Sequence, residues 1–126
     1  MVGVASSLTR LEASVLAMIV ESYPEHSSLL EDQIARLTNI VREHTGMGVY
    51  VDFEVGPGHL FEANLILHDV NAQVAGLQHP AGFILSIRDG CIRTLEGFTY
   101  GDDVWPISDE VDFHVYFERV PMIGAS

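Results

Sequence analysis

The sequence predicts an α+β fold in which two N-terminal helices pack on one face of a mainly antiparallel sheet of about five strands. Three features point there. Apolar residues recur at helical spacing up to about residue 45. From Val49 onward they alternate with polar ones, and turn-forming residues separate the alternating stretches. No internal repeat, low-complexity tract or linker interrupts the chain, so residues 1–126 are read as a single domain. A chain of this size buries roughly two-thirds of its unfolded surface and needs no metal or disulfide to do so.

The first helix starts at Thr9, whose spacing to Glu12 is that of a capping box. Leu11, Val15, Met18 and Ile19 form its apolar stripe, and Tyr23 before Pro24 ends it. Ser28 and Glu31 repeat the capping spacing. Leu30, Ile34, Leu37 and Val41 continue a stripe toward Gly46, which predicts a second helix running to that glycine.

Val49, Val51, Phe53 and Val55 then alternate with Tyr50, Asp52 and Glu54 as in a half-buried strand. After the Gly56-Pro57-Gly58 turn, Phe61 to His68 reads as its hairpin partner. Residues 69–82 show no clear period and read as a surface excursion. The clearest hairpin is Phe83 to Arg88 and Cys91 to Phe98 around Asp89-Gly90, a pair suited to a type I′ turn. A two-residue turn sets Arg88 opposite Cys91, Ile87 opposite Ile92, Leu85 opposite Thr94 and Phe83 opposite Glu96. Val111 to Glu118 is the last strand, ended by Pro121 before a Gly124-Ala125-Ser126 tail.

Charge restricts the partners. There are 18 acids against six bases, all arginine, for a net charge of −12. Nucleic acid and anionic membranes need clustered positive charge, so both are excluded as expected partners. A basic protein suits such a surface. The N-terminus lacks the charged and apolar regions of a secretory signal and no apolar run approaches membrane-spanning length, which makes a cytoplasmic location the expectation. The single cysteine, Cys91, beside the hairpin turn, reads as a small packed side chain.

Gly97 to Pro106 carries two glycines, three aromatics and two acids in ten residues. Trp105 among Asp102, Asp103 and Asp109 has the makeup of an interface anchor with a charged rim, or of a packed corner. Metal ligation requires convergence across strands, because no histidine pair has a local ligand spacing. His68 and His114, with Asp112, are the candidates. No Ser-His-Asp order, phosphate loop or nucleophile elbow is present, so the expected role is non-enzymatic and calls for no cofactor.

The stretch from Leu95 to Pro106, LEGFTYGDDVWP, resembles one found in small uncharacterised bacterial proteins. At the level of class, the chain resembles the immunity proteins of bacterial polymorphic-toxin systems. That resemblance implies a small acidic cytosolic protein that blocks a basic toxin, and it assigns no individual residue. The expected function is a protein-binding module presenting Glu96, Tyr100, Asp102, Asp103, Trp105, Tyr116 and the polar sheet face to a basic partner. The alternative is a small enzyme or ligand-binding protein with a pocket between the sheet and the 69–82 and 97–110 loops, using His68, His114 and Asp112. A homodimer paired through an edge strand is a third reading.

Overall fold

A computed structural model of the chain describes residues 2–5, 8–106 and 111–118, the first four by their backbone alone. Asp109 and the Pro121 to Ser126 tail lie outside the described residues. In chain order the elements are β1 (Val2–Ala5), α1 (Arg10–Ser22), α2 (Ser27–Ala35), β2 (Leu37–His44), β3 (Gly48–Val55), β4 (Leu65–Val74), β5 (Ala81–Arg88), β6 (Cys91–Phe98) and β7 (Phe113–Phe117). The strands form one sheet in the order β1-β2-β3-β6-β5-β4-β7, with every neighbouring pair antiparallel. The α+β class therefore holds, with six strands from Leu37 onward plus the short β1 instead of about five. No helix among the described residues is long and apolar enough to cross a membrane.

The first helix forms as its cap dictates. The Glu12 N–H donates to Thr9 Oγ1 at 3.1 Å and the Thr9 N–H to Glu12 Oε1 at 3.0 Å, while Leu11, Val15, Leu16 and Ile19 are buried. The second helix does not run to Gly46. It stops at Ala35, its N-terminal cap is His26 and not Ser28, and residues 37–44 form β2 instead. Thr38, Ile40 and Val41 are β-branched, and the ladder with β3 overrides the helical spacing of Leu37 and Val41. Arg36 holds the break, bonding the Asp32 carboxylate and the carbonyls of Gly56 and His59.

The expected hairpin between the third and fourth strands is also absent. Residues 56–64 instead cross the end of the sheet, so that β3 lies beside β6 and β4-β5-β6 form a meander, a Greek-key arrangement. Gln33 closes this crossover from α2. Its side chain, with no exposed surface, donates to the carbonyls of Gly90 at 2.7 Å and His59 at 3.1 Å and accepts from the Ile92 N–H at 2.9 Å.

Two bulges decide which side chains face the helices. In β6 the register slips after Ile92, so Arg88 and Ile87 face Cys91 and Ile92 as expected, but Leu85 faces Leu95 and Phe83 faces Gly97. Leu95 is thereby buried and Glu96 is turned to the other side. In β4, Asp69 adopts φ 74° and the register passes from Leu67 opposite Leu85 to Val70 opposite Phe83. The slip hides the continuing alternation of Val70, Ala72 and Val74, which is why residues 69–74 extend a strand where a surface excursion was expected. All three are buried.

Gln33→Leu keeps volume but leaves the buried Ile92 N–H unpartnered and takes one of two donors from each of the Gly90 and His59 carbonyls, which keep Phe61 N–H and Arg36. The expected loss is about 1–3 kcal/mol, read as a lower urea midpoint at unchanged slope. A change below about 0.5 kcal/mol, the scale of an ordinary surface substitution, would show that the crossover does not depend on this amide.

Candidate functional site

The helices cover one face of the sheet, and no element among the described residues covers the other. Register assigns the open face residue by residue: Glu43 pairs with Tyr50, Tyr50 with Glu96, and Glu96 with Ile84 in one row. Asp52, Thr94, Ser86 and Ile66 form the next. Thr94 Oγ1 donates to Asp52 Oδ1 at 2.8 Å, fixing that carboxylate in the plane of the face. Toward the far edge Phe98, Gly82, Asn71 and Tyr116 are consecutive partners. Tyr50, Asp52, Glu54, Ile66, His114 and Glu118 are exposed.

Of the arginines, Arg88 shares the Ser86 side of β5 and so stands at the turn end of this face, whereas three others are engaged elsewhere. Arg42 points inward from β2 and holds the buried Glu12 carboxylate, with Nε at 2.6 Å from Oε2. Arg36 is bound to backbone carbonyls, and Arg10 lies over the Phe113 ring at 5.2 Å on the helix side. Arg88 and Arg93 sit at the β5–β6 turn, and Arg119 lies outside the described residues. Glu43, Asp52 and Glu96 flank the Tyr50 ring, and Glu54 extends the acidic run along β3.

Residues 97–106 close one end of this surface. Thr99 N–H and Trp105 N–H donate to the carbonyls of Met47 and Gly46 at 2.9 and 2.8 Å. Trp105 is buried at 6 % exposure, edge-on to Phe83 with ring centroids 5.6 Å apart, and lies over Gly97. It is a packed corner: the ring sets the course of the loop and is not presented to solvent. Asp103 is likewise structural. Its carboxylate accepts from the backbone N–H of His79 at 2.9 Å and of Gln78 at 3.0 Å, and these two bonds, His79 first, hold its pKa below the ordinary carboxylate range.

The other expected contact residues remain available. Asp102 is exposed on the loop, and Tyr100, 48 % exposed, stands edge-on to Phe98 above Gly82. Glu96 is half-buried in its row, and Tyr116 stacks on His114. Beside Gly82, against which the Phe98 ring packs, a hollow of about 180 Å³ opens, with Asp69, Glu118 and Tyr100 on its walls.

The metal candidates do not converge. β4 and β7 are neighbours, but His114 faces Gln73, five positions along the strand from His68 and so about 16 Å away. His68 Nδ1 lies 3.0 Å from Asp69, and the Asp112 carbonyl accepts from Ala75 N–H. No cluster of three metal-capable side chains occurs among the described residues. Glu43 was missed because residues 37–46 read as helix. The alternation of Ile40, Arg42 and His44 against Asn39, Val41 and Glu43 is the signal that places it.

No protein-family model, curated protein or solved structure matches the chain.

Two expectations follow from the loop. A Cβ on Gly97 would lie 2.5 Å from Trp105 Cη2 and 2.9 Å from Phe83 Cε1, so Gly97→Ala destabilises by about 1–3 kcal/mol and shifts Trp105 emission to the red. An unchanged midpoint and spectrum would show that the ring yields freely. For Asp103, the folded pKa lies below the unfolded one. Its contribution is complete above the unfolded value and fades as pH falls through the folded value. The Gln78 and His79 amide resonances therefore move together on acidification, and Asp103→Asn abolishes that shared titration. Its persistence in the variant would assign it to another group.

Proposed function

We propose that this protein is a non-catalytic binding module that docks a basic protein partner on the open face of its sheet. The observation that supports this most directly is the sorting of charge. Arg42 is directed to Glu12 and Arg36 to Asp32 and backbone carbonyls, Arg88 and Arg93 stand at the turn end, and Glu43, Asp52 and Glu96 flank Tyr50, with Glu54 farther along the strand, on a face that no element among the described residues covers. In water such a field accelerates encounter with a cationic surface, and desolvated aromatic rings then hold it. The hollow over Gly82, walled by Tyr100, Asp69 and Glu118, suits one guanidinium or ammonium group of that partner. Tyr50, Glu96, Tyr100 and Tyr116 are the contact residues, with Asp102 on the rim. Asp103 and Trp105 support the loop from within.

Occlusion of a basic toxin, as in immunity proteins, is the specific form of this role that the chain's class-level resemblance to them favours. Such a mechanism requires no turnover. It needs only a rigid acidic face that covers the partner's own site, in the cytoplasm where the two would meet.

An oligoarginine peptide titrated into the labelled protein should shift amide resonances of Tyr50, Asp52 and Glu96, and moderate salt should reverse the shifts. Glu43→Lys with Glu96→Lys should weaken binding by about tenfold or more. Shifts confined to α1 and α2, or affinity unchanged by the two reversals, would overturn the assignment of this face.

A further inference from the structure

The helix side of the sheet holds a second, independent feature. A cavity of about 150 Å³ lies beneath the first turn of α1, walled by Val49, Val51, Phe83, Leu95, Trp105 and Phe113. Thr9, Glu12, Arg42 and His44 supply its polar lining. Three of these four already engage one another. Thr9 and Glu12 form the capping box, and the Glu12 carboxylate is held by Arg42. His44 differs: it faces inward opposite Val49, and its Nδ1 is buried with no hydrogen-bond partner. A buried nitrogen left this way is a standing penalty that a bound molecule can remove.

We propose that this cavity binds a neutral, single-ring aromatic molecule carrying one hydrogen-bonding group, of the size of phenol. Size sets the first limit. Apolar cavities of about 150 Å³ accept benzene, whereas sites for drug-sized ligands, nucleotides or sugars run to roughly 300 Å³ and above. Charge sets the second. Glu12 and Arg42 neutralise each other, so an ionised ligand would bring an uncompensated charge into a buried site. The walls set the third. The edge-to-face pair of Phe83 and Trp105 offers a ring both an edge and a face, and aliphatic side chains line the opposite wall. The one polar substituent reaches His44 Nδ1, and the ring lies against the apolar walls. This site is on the opposite side of the sheet from the acidic surface and does not depend on the docking role.

Trp105 is the only tryptophan in the chain, so its emission reports the cavity directly. Phenol should change that emission saturably and raise the melting temperature, binding about tenfold more tightly than benzene, the ratio expected of one good buried hydrogen bond. His44→Leu should bring the two ligands to the same affinity. His44→Phe, which fills the cavity from that wall, should abolish both. Because either variant can perturb folding, intermolecular NOEs from phenol ring protons to the Val49 and Val51 methyls are measured in the unmodified protein and should be present. Absence of saturable binding by phenol, absence of those NOEs, or a phenol preference that survives His44→Leu would each overturn the proposal.

Discussion

Gln33 is where the two halves of the chain are joined. Its amide has no contact with water, yet both ends are satisfied, by two carbonyls and one N–H from the crossover and the β5–β6 turn. A buried amide is tolerable only on these terms, and loss of Gln33 would strand the Ile92 N–H, whereas the two carbonyls keep Arg36 and Phe61 N–H as donors. The crossover it closes brings β3 beside β6, and that pairing places Tyr50 next to Glu96. Arg36, three residues later at the end of that helix, ties the first and middle parts of the crossover by the same principle. The acidic face is thus a consequence of a bond made on the other side of the molecule.

Two irregularities govern what that face contains. Without the slip in β6, Glu96 would oppose Phe83 and sit among core side chains, an expensive position for a carboxylate without a partner. The bulge turns it outward and brings Gly97 under Trp105, where only a hydrogen fits. One extra residue therefore serves surface and core together. In β4 the positive φ of Asp69 acts similarly, keeping Leu67 and Val70 both inward although they are three apart. Bulges of this kind alter the face on which every later side chain emerges, since strand side chains repeat every second residue.

Opposite electrostatic environments occupy the two sides of one sheet. Outside, acids accumulate with water to solvate them and salt to screen them. Inside, the Glu12–Arg42 pair is nearly dry, and its geometry is held by a helix cap and a strand simultaneously. Breaking such a pair is costly because the surviving charge remains buried. The pair also ties the first turn of α1 to β2, which keeps the wall of the cavity beside His44 in place.

The sequence alone determined the class of fold, the first helix with its Thr9–Glu12 cap, the β3 alternation, the Asp89-Gly90 turn and the excess of acid. Each is local: a cap, a period of two or a positive-φ turn depends on residues a few positions apart, and net charge depends on none. The proposed contact residues Glu96, Tyr100 and Tyr116 were legible as polar or aromatic positions on strands and a loop, but the placing of Glu96 and Tyr100 on one face with Tyr116 was not. Tertiary structure decided that Leu37 to His44 is a strand, that residues 56–64 cross the sheet, that two bulges reset the registers and that Trp105 turns inward. Those outcomes rest on hydrogen bonds and packing between segments as much as 59 positions apart, as from Gln33 to Ile92. At that range a single chain's local preferences carry no information about which partner wins.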